Sequence, residues 1–267
     1  HTWEVEAREE RIAEEEFAQS QVTMQNLKIK EQNEAAGAKG ELSIRLPEGV
    51  TGDQIAVSND YVTQTIRVEI PQADRTYFDS YPVLGNSDYI DGLSYTRQGE
   101  MGVIEVTTNK VYELQTEYDA QNFYFNFLTP HEVYDKVVVI DAGHGGRAVG
   151  ANKQGINEKD IDLAIVLKLK EIFDNSDQNI GVYYTRTDDS NPTFDQRVQL
   201  ANKSDADLFI SIHNNSTRSG RMSGTSGTQV MYDETSEASR QFAQICLEEV
   251  TGRIGSRDKG LVEGDSI

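Results

Sequence analysis

Residues 137–146 read VVVIDAGHGG, and this stretch decides how the rest of the chain is understood. Four β-branched apolar residues run straight into an aspartate, and His144 follows, wedged among Gly143, Gly145 and Gly146. An unbroken apolar run suits a strand covered on both faces, as in parallel sheets flanked by helices. The chain has only four histidines, and one of them falls on this flexible loop. Either a turn happens to hold a histidine, or a metal ligand is held at the mouth of a sheet.

Downstream, strands alternate with helices. KVVVIDA (136–142), NIGVYYTR (179–186), ADLFISIHN (206–214) and GTQVMYD (227–233) read as strands. NEKDIDLAIVLKLKEIFDN (157–175), PTFDQRVQLANKS (192–204) and SEASRQFAQICLEEVTGRI (236–254) read as helices. That order predicts an α/β domain over residues 136–267, with a mostly parallel sheet and flanking helices.

Upstream the pattern changes. LKIKEQ, ELSIRLP, QTIRVEIP, GVIEVTTN, VYELQTEY and NFYFNFL alternate apolar and polar residues, punctuated by glycine, asparagine, aspartate and proline. This predicts an all-β sandwich over residues 24–130. It holds no cluster of histidine or cysteine, so a binding or spacing module fits it better than an enzyme. Residues 1–23 are expected to form a short acidic helix with a thin apolar edge of Trp3, Val5, Ile12 and Phe17, a spacer or a surface-docked helix. The join, TPHEVYDK (129–136), is short, and His131 reads as a linker residue.

The net charge is −20 over 267 residues, and residues 1–135 hold 25 acids against 10 bases. That balance argues against nucleic acid or anionic lipid as a direct partner, since either requires a basic face. A single cysteine, Cys246, excludes an internal disulfide framework, and its helical pattern turns it inward. No apolar run is long enough to span a membrane. The sequence opens on HTWEVEAREE, so it is expected to be a trimmed piece whose missing export signal says nothing about the parent protein.

In an open α/β sheet, sites form outside the carboxyl ends of the strands. His144 and His213 each follow such an end, and Glu158 opens the first long helix, whose start shares that rim. Singly, each has a plain alternative: a histidine in a turn, a histidine capping a loop, a glutamate favoured by the helix dipole. In this order, on one predicted rim, they point to a metal site. Two imidazoles and one carboxylate suit zinc far better than magnesium or calcium. DAGHGG is neither a dinucleotide-binding fingerprint nor a P-loop, and the chain contains no G-x-S-x-G.

Together, VVVIDAGHGG, GINEKDIDLAIVLKLKEIF, YYTRTDD, RVQLANKSDADLFISIHNNS and SGTQVMY resemble the zinc-dependent N-acetylmuramoyl-L-alanine amidases of bacterial cell walls, over roughly residues 136–267. The resemblance implies that His144, Glu158 and His213 bind Zn2+, and that peptidoglycan is the substrate. The implied reaction is hydrolysis of the amide between the lactyl group of muramic acid and L-alanine of the stem peptide. Arg186, Arg197 and Asn215 also fall on the family pattern, as substrate contacts or as packing and loop-fixing residues.

The family carries a further glutamate on a late strand as general acid/base. Glu263 in GLVEGDSI is the one match, yet SRDKGLVEGDSI directly follows the long helix, where the family has a loop. That glutamate is therefore expected beyond Ile267, leaving a chain that binds zinc but is catalytically crippled. The β-rich half is similar to the AMIN-type modules that often precede such amidases. Tyr77, Tyr81 and Tyr89 are candidates there for stacking on a glycan, or ordinary sandwich tyrosines. The expected location is the bacterial envelope or exterior. Two other functions stay open: an inactive peptidoglycan-binding or regulatory protein, and a zinc peptidase acting on stem peptides.

Overall fold

The structure, a computed structural model, describes residues 8–15, 25–31, 39–86, 88–215 and 224–264. Trp3, Val5 and Phe17 lie outside them. Two compact units emerge, residues 1–214 and 215–267.

The first unit opens with helix α1 (residues 8–15). Ten strands follow: β1 (Gln25–Asn26), β2 (Lys30–Glu31), β3 (Leu42–Arg45), β4 (Ala56–Asp60), β5 (Thr65–Pro71), β6 (Leu84–Gly85), β7 (Ile90–Gln98), β8 (Met101–Thr108), β9 (Glu113–Tyr118) and β10 (Asn122–Leu128). They make two five-stranded sheets, ordered β1-β7-β8-β5-β4 and β2-β6-β3-β10-β9. The alternating pattern of the sequence explains the packing. In β5 every second residue (Ile66, Val68, Ile70) is buried, and these join Leu42, Ile44, Ile104 and Phe125 in one core fed by both sheets. Each fully buried aliphatic side chain there contributes roughly 1.5–3 kcal/mol.

Two features depart from expectation. Among the described residues of the run 27–32, the strand is limited to the two residues of β2. Helix α2 (Arg75–Ser80) was not anticipated, although Asp74 accepts a hydrogen bond from Tyr77 N at 2.8 Å as a good N-cap does.

After α3 (Pro130–Val133), β11 (Lys136–Ala142) forms the centre of a three-stranded sheet, between β14 (Ile180–Tyr184) and β15 (Leu208–Ile212). Both pairings are parallel. Between them run the short β12 (Asn152–Lys153) and β13 (Ile156–Asn157), then α4 (Glu158–Asp174) and α5 (Phe194–Lys203).

The apolar run VVVI is buried because both faces of the sheet are covered. Val138 and Ile140 pack with Val166 of α4. Val137 and Val139 pack with Leu200 of α5 and with Val111, Tyr61 and Val62 of the β-rich half. Successive strand residues face opposite sides, which is why both sets come from one run.

That shared core changes the reading of the join. The two halves are in direct contact across residues 130–136. Glu113 accepts hydrogen bonds from Tyr183 at 2.6 Å and Tyr61 at 3.0 Å, and Val111 N donates to Lys203 O at 3.0 Å. His131, on α3, bonds the Asp205 carbonyl at 2.9 Å. The β-rich half and the first part of the α/β half therefore form one unit.

The second unit is a strand–helix–strand: β16 (Thr228–Asp233), α6 (Glu237–Ile254) and β17 (Asp258–Gly264). Its strands pair in parallel, an arrangement that requires a crossover, here α6. Ala243 and Leu247 of α6 are buried, and Cys246 is half-buried. The segment after the long helix is thus a strand that carries Glu263.

Candidate metal site

The parallel pairing of β11 with β15 aligns Ala142 with Ile212. His144 and His213 lie just past those two residues, so adjacent strands deliver both imidazoles to one rim. Glu158 is the first residue of α4. Three polar atoms converge: His144 Nε2 is 3.1 Å from Glu158 Oε1, His213 Nδ1 is 3.2 Å from the same oxygen, and the two nitrogens are 3.1 Å apart. Asp162 joins them, and the four donor atoms all lie within 4.8 Å of one another.

Each side chain is held from behind. The Glu158 carboxylate accepts from Ala151 N and Asn214 N, both at 2.7 Å. The helix N-terminus favours its negative charge. His144 has φ 61°, the left-handed region that non-glycine residues seldom occupy, and such backbone persists only where its surroundings impose it.

Two buried arginines do so here. Arg186 donates to the carbonyls of Ala142 (2.9 Å), Gly143 (2.7 Å) and Lys159 (2.9 Å). Arg197 donates to the carbonyls of Ala142 and His144, both at 2.8 Å, and pairs with buried Asp141 at 2.5 Å. Thr185 and Ser211 donate to the same aspartate, each at 2.6 Å. Lys159 adds a bond to Gly146 O at 2.7 Å.

Space is equally constrained. A Cβ on Gly143 would land on the His213 ring, and one on Gly150 (φ 64°) would come within 2.6–2.7 Å of His144 Cδ2 and Glu158 Oε2. Gly143→Ala is accordingly expected to push His213 off the rim and lower metal affinity while the sheet stays folded. Titration of a metal against a competing chelator, beside a circular-dichroism melt, checks this.

The site is also electrostatically hungry for a cation. Burial disfavours the charged form of His144, but its contacts with Glu158 and Glu9 outweigh that and push its pKa up to about 9. Burial alone would raise Glu158; hydrogen bonds with His144 and His213 hold it instead far below the usual carboxylate range. Asp162, desolvated and beside Glu158, is pushed up to about 6. Without a metal ion, the pocket draws protons onto its histidine.

The donor set fits zinc. Zinc–nitrogen and zinc–oxygen bonds of about 2.0–2.1 Å in a tetrahedron put neighbouring ligand atoms about 3.3 Å apart. The observed triangle, with edges of 3.1–3.2 Å, lies close to that. The His144 and Glu158 side chains are nearly buried, whereas His213 is 42% exposed, so the cluster opens to solvent on the His213 side.

The remaining candidates fall elsewhere. Arg197 is buried, and its donors are taken by the aspartate and by backbone carbonyls, so the structure makes it a support for the His144 loop instead of an exposed substrate contact. Arg186 does the same. Asn215 is exposed and opens the second unit. Glu263 accepts a hydrogen bond from Tyr232 at 3.2 Å within that unit. In the β-rich half Tyr81 is 42% exposed with Arg45 over its ring, Tyr77 bonds the Arg45 carbonyl, and Tyr89 packs edge-on against Tyr112 and beside Phe127. Tyr89 thus serves the core.

Sequence reasoning missed Asp162, Asn214 and Glu9. Asp162 lies one helical turn beyond Glu158, on the same face, and that i, i+4 spacing was a usable signal. Asn214 links the acids, its amide donating to Asp162 Oδ1 at 2.7 Å.

Residues 138–266 match the family described as N-acetylmuramoyl-L-alanine amidase. Uncharacterized protein YqiI of Bacillus subtilis (strain 168) is 38% identical over 49% of this chain and 61% of its own length. N-acetylmuramoyl-L-alanine amidase CwlM of Bacillus licheniformis is 33% identical over 46% of this chain and 47% of its own. Among solved structures, the N-acetylmuramoyl-L-alanine amidase from Clostridium difficile 630 shares 32% identity, covers 49% of this chain and 70% of that one, and has a TM-score of 0.46. The matched segment covers just under half of this chain, and the chain spans 61% and 47% of the lengths of the two curated relatives. Among the described residues, no helix is long and apolar enough to cross a membrane.

Proposed function

We propose that the protein is a zinc-dependent peptidoglycan amidase of the bacterial envelope, cleaving the lactyl amide between N-acetylmuramic acid and L-alanine. The observation that carries this reading is the triangle of His144, Glu158 and His213 inside a segment that matches the amidase family. These three side chains would hold the ion, with Asp162 behind them. The chemistry such an ion supplies is Lewis acidity, which polarises a carbonyl and acidifies water. The chain's own part is to orient: Ala151 N and Asn214 N fix the Glu158 carboxylate, and the two arginines fix the backbone that presents His144. His213, open to solvent, marks the side on which substrate enters.

The domain plan belongs to the same proposal. Residues 24–130 form a sandwich-type, AMIN-like module that places the enzyme on the wall, and residues 136–267 form the amidase domain. Mass spectrometry of sacculi digested with the zinc-loaded protein tests the reaction. Release of intact stem peptides carrying a free L-alanine amine would identify the lactyl amide as the bond cut. Fragments cut within the stem would indicate a peptidase, and undigested sacculi bound by the protein would indicate a binding role.

A further inference from the structure

Helix α1 lies outside the matched segment, 135 residues upstream of His144, yet it reaches the candidate site. Glu9 Oε2 is 2.8 Å from His144 Nδ1, and the two side chains are only 14% and 9% exposed. The adjacent Glu10 accepts a hydrogen bond from Phe194 N at 2.8 Å, at the start of α5, where the helix dipole favours a carboxylate. One turn on, Ala13 is 2% exposed, in a narrow crevice that Pro192 and Phe194 also line. Consecutive helical residues point about 100° apart, following 3.6 residues per turn. Anchors at both Glu9 and Glu10 therefore set the rotation of the helix as well as its position.

We propose that Glu9 is a positioning residue for His144, holding the imidazole in the one tautomer and orientation that a metal ligand requires. The two imidazole nitrogens are divided: Nε2 faces Glu158 at 3.1 Å and His213 at 3.1 Å, while Nδ1 faces Glu9. With Nδ1–H donated to the Glu9 carboxylate, Nε2 keeps its lone pair directed into the triangle. Carboxylates on the far nitrogen of a ligating histidine fix its tautomer and raise its basicity. No spacing argument within residues 138–266 can supply this group. Helix α1 is thus a working part of the site.

The proposal rests on the zinc reading above, and its test separates the two. Wild-type protein, Glu9→Ala and Glu9→Gln are titrated with Zn2+ against a competing chelator. Long-range 1H–15N spectra of the histidine rings are recorded on each zinc-loaded sample, and melting curves confirm the fold. The wild type is expected to show zinc on His144 Nε2 and a protected proton on Nδ1. Glu9→Ala is expected to bind zinc about 10–100-fold more weakly and to lose that protected proton. Glu9→Gln, equal in size but uncharged, is expected to fall between the two.

A wild-type protein whose His144 binds zinc through Nδ1 overturns the proposal without any variant. Glu9→Ala with unchanged affinity and an unchanged Nδ1 proton overturns it alone. A wild type that takes up no zinc overturns it together with the metal reading.

Discussion

Replacing His144 or His213 with alanine is expected to abolish stoichiometric zinc binding, whereas the wild type is expected to carry one ion per chain. Each imidazole supplies one corner of a three-atom triangle whose edges are 3.1–3.2 Å. Removing a corner leaves two donors, so the loss should exceed the 10–100-fold that an outer-shell partner is worth. The measurement is elemental analysis after dialysis against a weak chelator, and zinc retained at the wild-type level in both variants would break the assignment.

Uptake should also depend on pH in a definite direction. Near pH 7 the metal-free His144 carries a proton, because its pKa is pushed up to about 9, and the ion must displace that proton. Zinc affinity should therefore rise with pH between about 6 and 9, with proton release detectable by calorimetry in buffers of different ionisation enthalpy.

The second large effect lies beneath the loop. Asp141→Ala removes the partner of a buried guanidinium, since Arg197 and Asp141 are 5% and 3% exposed. Breaking a buried pair by deleting one side costs about 3–5 kcal/mol, because the other charge is left uncompensated. Replacing both, as Asp141→Leu with Arg197→Met, should recover much of that stability, as apolar substitutes for buried pairs often do. It should not recover zinc affinity, because the His144 carbonyl would have lost its Arg197 donor.

The same pair shapes the acid limit. Burial would raise the Asp141 pKa, but the charge of Arg197 and the hydroxyls of Ser211 and Thr185 outweigh it and hold the carboxyl below its ordinary value of 3.8. A folded pKa below the unfolded one gives stability that is present above about pH 4 and is lost as pH falls through the folded value. Denaturant unfolding followed from pH 7 to 2 should show this loss in the wild type and a flatter acid limb in the double variant.

How far the sequence carried these conclusions depended on the range of each interaction. VVVIDAGHGG was legible because burial on both faces leaves an unbroken apolar run. His213 and Glu158 were legible because strand ends and helix starts share a rim. The short-range spacing from Glu158 to Asp162 held a signal that was overlooked. Long-range contacts left no trace. Glu9 meets His144 across 135 residues, and Glu113 meets Tyr183 across 70, with no periodicity to connect them. Packing across the join was hidden for the same reason: Val111 reads as one more strand-pattern residue until Val139 and Leu200 pack against it. Arg197 reads as either a substrate contact or a loop-fixing residue, and the sequence could not decide because its partner Asp141 was hidden in the apolar run.

X-ray absorption at the zinc K edge of the zinc-loaded wild-type protein tests the central claim most directly. Two imidazole nitrogens and a carboxylate oxygen at about 2.0–2.1 Å are the predicted protein ligands, with one position left for solvent. A spectrum without imidazole scattering, or a protein that emerges from loading without zinc, would contradict it.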